Sequence, residues 1–146
     1  MANIGKWSLS SVGLTTVLTG LTTASGAMSA ASSTYDNSSS LDLYVDIEFA
    51  LVFAAGVASG GYVSLYVYES VDGTNFPAQS AADLRLTSTQ LICVAPMGTA
   101  SATQRVVVRN VLISPAKQQF LLDNQTSQAL SSGTVKILPY DYNLNG

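Results

Sequence analysis

Asp42, Tyr44, Asp46 and Glu48 recur at even spacing in one short stretch, so an extended chain would set all four side chains on one face. At roughly 3.3 Å per residue, Asp46 and Glu48 would stand about 6.6 Å apart, a spacing that suits a general acid and base flanking a glycosidic bond. The same oxygens could ligate Ca²⁺, although side chains of one strand rarely wrap an ion without loop carbonyls. The plain alternative is a solvated or interface face whose charges discourage wrong edge pairing. That reading is preferred, because no acid stands alone in an apolar setting that would raise its pKa. Tyr62, Tyr66 and Tyr68 make a second constellation, again at even spacing, with Tyr44 as a possible neighbour. Aromatic faces stack on sugar rings, but tyrosine is also enriched where proteins meet, since its body is apolar and its tip polar. An interface or cross-strand packing is the preferred role.

Other catalytic chemistry is missing. The chain has no histidine, which removes the commonest general base near neutral pH and the most frequent transition-metal ligand. With one cysteine, a Cys/His zinc site cannot be assembled from one chain. Gly60-Gly61 is not followed by the Lys-Ser/Thr of a phosphate loop, and no Gly-x-Ser-x-Gly elbow occurs. The expectation is therefore a non-enzymatic protein with no catalytic residues, no cofactor and no metal. Cys93 sits in Leu91-Ile92-Cys93-Val94-Ala95 and reads as a buried small hydrophobe. A reactive or intermolecular thiol would want a basic neighbour, and none is close in sequence. The bases Lys6, Arg85, Arg105, Arg109, Lys117 and Lys136 are scattered, so phosphate neutralisation and direct nucleic-acid binding are not expected.

The elements that carry these residues read as strands. Leu41, Leu43, Val45, Ile47 and Phe49 alternate with more polar partners, which predicts a half-buried strand. The continuously apolar run Ala50 to Ala55 then predicts a strand covered on both faces or shifted by a bulge. After a turn at Gly56 to Gly61, Tyr62–Tyr68 is the next strand, with Val63, Leu65 and Val67 facing one way and the tyrosines the other. Asp72-Gly73-Thr74-Asn75 is a turn, because Gly allows positive φ and Asp and Asn tolerate tight backbone. Further strands are expected at 84–86, 90–95, 104–113, 118–123 and 134–140, separated by Pro77, Pro96, Gly98, Pro115 and Gly133. The fold class is all-β: an antiparallel β-sandwich or jelly roll with an extended N-terminal arm.

Residues 1–40 form that arm, with a possible first strand, and residues 41–146 the sandwich domain. Sixteen of the first 40 residues are Ser or Thr, and only Lys6 and Asp36 are charged. Val12, Leu14, Thr16 and Leu18 alternate, and Thr and Gly disfavour a helix, so extended structure is favoured there. Ala24 to Ser40 has too few large side chains to fold by itself. A secretory signal is not supported, since Ser10, Ser11, Gly13, Thr15 and Thr16 break the apolar run. No stretch approaches the roughly 18 uninterrupted apolar residues of a membrane helix, so no membrane partner is expected. Asn37-Ser38-Ser39 and Asn124-Gln125-Thr126 match the glycosylation triplet, a pattern that arises by chance in so hydroxyl-rich a chain.

Composition points to assembly. Only 10% of residues are charged, against roughly 25% in average soluble proteins, while 47% are hydrophobic. With a net charge of −3, the surface must be built of hydroxyls, amides and leftover apolar groups, which favours association. A monomer with a neutral hydroxyl-rich coat is the alternative. Ile4, Trp7 and Leu9 in the arm, with Tyr62, Tyr66 and Tyr68, are the candidate interface residues.

The stretch Tyr66-Val67-Tyr68-Glu69-Ser70-Val71-Asp72-Gly73-Thr74-Asn75-Phe76-Pro77 resembles a segment of small virion proteins of tailed bacteriophages, where an apolar strand runs into Glu-Ser, Asp-Gly-Thr and an aromatic. It covers about a dozen residues and also resembles turns in cell-adhesion and carbohydrate-binding sandwiches. In length, β-rich body and hydroxyl-rich arm the whole chain is similar to capsid decoration (cement) proteins. The resemblance implies a virion location on the capsid surface, a homo-oligomer (a trimer favoured), and partners among the major capsid protein or other virion proteins. Head–tail connector, tail and fibre-base proteins share these features, and a carbohydrate-binding module is the rival of another class.

Overall fold

A computed structural model describes residues 6–8, 15–77 and 90–143. Among the described residues nine strands run in chain order: β1 (Lys6–Ser8), β2 (Thr15–Leu18), β3 (Tyr35–Asp36), β4 (Tyr44–Phe53), β5 (Tyr62–Ser70), β6 (Gln90–Pro96), β7 (Gln104–Leu112), β8 (Lys117–Gln125) and β9 (Leu130–Asn143). The expected strand at 84–86 lies outside the described residues. Every pairing is antiparallel. In one sheet β9 is flanked by β4 on one edge and by β1 and β2 on the other, with β7 beyond β4; the second sheet runs β3-β8-β5-β6. The pairs are nested: β2 with β9, β3 with β8, β4 with β7, β5 with β6. A long hairpin folded over on itself gives this wiring, and the two sheets enclose one core as an antiparallel β-sandwich.

β4 shows why the sequence chooses this architecture. Its burial alternates along all ten residues, with Val45, Ile47, Phe49, Leu51 and Phe53 inside. Alternation of period two is what one covered face demands. Facing them across the interior are Val63, Leu65 and Val67 of β5 and Phe120 and Leu122 of β8, with Val135 and Ile137 of β9 beside them. The apolar run from Ala50 is not covered on both faces, since Ala50 and Val52 stay half-exposed on the outer face. β4 keeps its alternation through Phe53, and the register shift between Val52 and Phe53 leaves its extra residue, Ser131, on β9. Gly133, opposite Leu51, is needed there, because a Cβ would lie 2.7 Å from Leu51 Cδ2 and 3.1 Å from Ala50 O.

Residues 15–40, with β2, β3 and the turns between and after them, lie along both sheets. Val17, Leu18 and Leu21 enter the main core. From Gly26 onward the chain follows the free edge of β8: Ser29 N–H donates to Leu122 O and Ser32 N–H to Phe120 O. Ser29 and Ser32 are three residues apart, while Leu122 and Phe120 are two apart, so the two backbones fall out of step. Hydroxyls bridge the mismatch. Ser29 Oγ accepts Leu122 N–H at 3.0 Å and Ser32 Oγ accepts Phe120 N–H at 2.9 Å. Each then donates onward, to Ala30 O at 2.8 Å and Ser33 O at 2.6 Å. The hydroxyl-rich composition thus supplies ladder acceptors where carbonyls cannot reach.

Candidate interaction surface

The outer face of the β3-β8-β5-β6 sheet carries the tyrosines, and its two halves differ. On the β8 side Tyr68 is only 3% exposed. Tyr68 and Leu121 form a small second core, closed by Met28 from the N-terminal segment and Phe76 from beyond the turn. Phe76 meets Tyr68 edge-on, with ring centres 5.5 Å apart at 90°. The Tyr68 hydroxyl donates to Gln119 Oε1, and burial pushes its pKa above the ordinary value. Phe76 is held in place by the turn before it. Asp72 Oδ1 accepts Thr74 N–H at 2.8 Å and Asn75 N–H at 2.7 Å, and its Oδ2 accepts Asn75 Nδ2 at 2.7 Å. Those donors, Asn75 first, hold the Asp72 carboxyl well below the usual carboxylate range. Gly73 has φ 73°. The Asp-Gly turn and its closing aromatic act as the sequence expects.

The β6 side is open. Tyr62 opposes Pro96, Ser64 opposes Val94 and Tyr66 opposes Leu91, so all share the outer face. Tyr62 is 40% exposed, Leu91 48% and Val94 45%, with Tyr66 half-buried between them. These residues make one apolar surface with two phenol tips. Leu91 and Val94 escape a sequence reading, since Leu91-Ile92-Cys93-Val94-Ala95 does not alternate. A register shift between Leu65 and Tyr66 turns Ile92 and Cys93 towards the core and leaves Leu91 outside. Cys93 is buried as expected, and burial pushes its thiol up to about 12. Tyr62 and Tyr66 therefore share an accessible face, and Tyr68 is enclosed by its own chain. Among the arm candidates, Trp7 lies in β1 opposite Tyr142, and Ile4 and Leu9 lie outside the described residues.

The acidic stretch is divided among separate tasks. Asp46 Oδ1 accepts Asn110 N–H at 3.0 Å, and Asn110 has φ 57° at the point where β7 bulges against β4. The Tyr140 hydroxyl donates to Asn110 Oδ1 at 2.6 Å and lies 3.2 Å from Asp46 Oδ1. Asp46 thus secures a left-handed residue that would otherwise strain the strand. Glu48 pairs with Arg105 Nη1 at 3.3 Å. Asp42 is buried next to a turn in which Asn37 Oδ1 accepts its N–H at 3.0 Å. Among the described residues, no group of three or more Asp, Glu or Cys gathers as a metal site.

Both glycosylation triplets start at enclosed side chains. Asn37 is fully buried, and its Nδ2 donates to Asp42 O at 2.8 Å and Ser114 O at 2.9 Å. Asn124 is equally buried, with Nδ2 donating to Gln128 O at 2.9 Å and Ala24 O at 3.2 Å. A glycan on either nitrogen would have to break these bonds, so the folded chain offers no acceptor at these two positions. No family model matches the chain, and neither a curated protein nor a solved structure resembles it significantly.

Proposed function

We propose that this chain is a non-enzymatic structural protein of a virus particle, of the capsid decoration kind, which clamps neighbouring capsid subunits as a homo-oligomer. The open β5–β6 face carries this reading. Tyr62, Tyr66, Leu91 and Val94 place aliphatic and phenolic groups side by side on a chain with few charges. Aromatic enrichment and depletion of charge mark the centre of protein interfaces. A nested β-sandwich is also among the architectures used by capsid proteins, though the fold alone assigns no role. Modest apolar contacts repeated by symmetry would give firm attachment through avidity.

The test joins solution mass to particle attachment. Wild-type protein should behave as an oligomer by light scattering and appear over the capsid shell when labelled on virus particles. Val94→Glu combined with Tyr62→Ser should lower the solution mass and abolish labelling, with the unfolding midpoint unchanged. Labelling confined to one vertex or the tail would move the protein to a connector or tail role. A permanent monomer that attaches to no particle would overturn the proposal, and glycan binding lost in Tyr66→Ala would favour the carbohydrate module.

A further inference from the structure

β7 is the last strand of its sheet: β4 pairs with one edge of it, and among the described residues no strand pairs with the other. Two hydrogen bonds show which of its backbone groups are left over. Leu43 O accepts Ile113 N–H at 3.0 Å on the β7 side of β4, and Gly133 O accepts Leu21 N–H at 3.2 Å on the far side of β9. Gly133 is the β9 partner of Leu51. In an antiparallel ladder each residue turns its N–H and C=O to the same neighbour, and successive residues alternate. Val45, Ile47, Phe49 and Leu51 therefore turn theirs to β7, where Val108, Val106 and Gln104 answer the last three. Arg105 and Val107 lie between those residues, so their N–H and C=O groups point at the open edge.

The side chains along this edge carry a pattern. Arg105, Val107 and Arg109 project from the outer face at successive intervals of roughly 6.6 Å. All three are exposed, Val107 to 48%. On the inner face Val106 and Val108 pack against the core and stay half-buried. The acids on the neighbouring strand are engaged: Glu48 with Arg105 at 3.3 Å, an exposed pair that contributes little, and Asp46 with Asn110 N–H at 3.0 Å. Among the described residues Arg109 makes no ion pair. A second copy paired in register about Val107 would set each Arg105 opposite the other's Arg109, so like charges oppose self-pairing. Charged side chains on an edge deter promiscuous pairing, and here they select by sign, since the same two guanidinium groups favour carboxylates at that spacing. Past Arg109 the bulge at Asn110 ends the regular edge, which limits an added strand to about five residues.

We propose that the free edge of β7 accepts an extended acidic segment of a partner protein as an added antiparallel strand. Backbone bonds to Arg105 and Val107 hold the segment, and alternate side chains give it specificity. Carboxylates two residues either side of its centre meet Arg105 and Arg109 on the outer face. The apolar residues next to its centre cover Val106 and Val108 on the inner face. The sequence recognised is thus acid, apolar, any, apolar, acid. This edge is distinct from the open β5–β6 face, and its use does not depend on the function proposed for that face.

The probe is the capped peptide Ser-Glu-Val-Thr-Val-Glu-Ser, titrated into the full chain and followed by amide NMR shifts and hydrogen exchange. The controls are Ser-Lys-Val-Thr-Val-Lys-Ser and an isomer of the first peptide with both glutamates moved to one end. The acidic peptide should give saturable shifts along β7. At saturation it should slow exchange of the Arg105 and Val107 amides about tenfold or more, while Val106 and Val108, already bonded to β4, keep their rates. The lysine peptide should not bind, and the isomer should bind about tenfold more weakly. Arg109→Glu should weaken the acidic peptide about tenfold or more, and Arg105→Glu combined with Arg109→Glu should take the lysine peptide instead. Val107→Pro, which removes an N–H that β4 does not use, should abolish binding; if it does not fold, the charge variants decide the matter. No saturable shift at millimolar peptide, equal binding of the acidic peptide and its isomer, binding that survives Arg109→Glu, or binding without slowed exchange at Val107 would overturn the proposal.

Discussion

The two halves of the outer face of the β3-β8-β5-β6 sheet begin from the same chemistry and reach opposite ends. Tyr68 and Leu121 on one half, and Tyr62, Tyr66, Leu91 and Val94 on the other, are apolar residues that point away from the main core. The first pair is enclosed because Met28, from the N-terminal segment distant in sequence, and Phe76, from just past the Asp72-Gly73 turn, arrive over it. The second set stays exposed. Alternation along a strand reports that a face is apolar, but who covers it depends on where distant segments are led. On the β8 half the cover comes from this chain, and on the β6 half it is proposed to come from a neighbour.

That contrast can be broken by substitution. Leu121→Ala, on the enclosed half, should cost about 2–5 kcal/mol in urea unfolding, because it leaves a void beneath Met28. Leu91→Ala, on the open half, should cost less than about 0.5 kcal/mol in the isolated chain. Equal losses would mean that the halves do not differ in the way described. Next in size, Ser29→Ala or Ser32→Ala removes the acceptor of a buried β8 amide and should cost about 1–3 kcal/mol. Hydrogen exchange should then quicken at Leu122 or Phe120 respectively, the amides those hydroxyls accept. Exchange unchanged at both would show that the serine edge does not hold the cover down.

Phe76→Ala should cost about 0.5–1.5 kcal/mol beyond the lost area, the worth of an edge-on aromatic pair. By admitting water it should also bring the raised Tyr68 pKa back towards its ordinary value in a spectrophotometric titration. The smallest effect concerns Asp72. Its folded pKa is depressed, so its contribution to stability is complete above the unfolded value near pH 4 and fades as pH falls below it. Asp72→Asn should flatten the stability profile in that acid range and leave the profile near neutrality unchanged. Because the carboxyl is exposed, the change in slope should be slight, and a steep acid dependence surviving in the variant would place it in other carboxylates.

Much of the fold was legible residue by residue. β4, β5 and β6 fall where the alternation and breakers put them, and the Asp72-Gly73 turn carries its aromatic onto the strand as its chemistry suggests. The surface was less legible, for reasons that single positions make clear. Asp46 and Glu48 stand on one face as their spacing requires, but Asp46 answers the bulge at Asn110 and Glu48 answers Arg105, partners some sixty residues away. Tyr68 has the same spacing as Tyr62 and Tyr66 and a different fate, set by Met28 and Phe76. Leu91 is indistinguishable from Ile92 in sequence, and one register shift sends them to opposite sides.

What the amino-acid order determined alone is whatever a strand settles locally: its period, its breakers, the scarcity of charge, and the missing histidine. Pairing partners, shifts of register and the paths of segments from far along the chain were decided only by tertiary structure. Covering a face or satisfying a buried amide requires groups brought together across long loops, and no local pattern encodes that meeting.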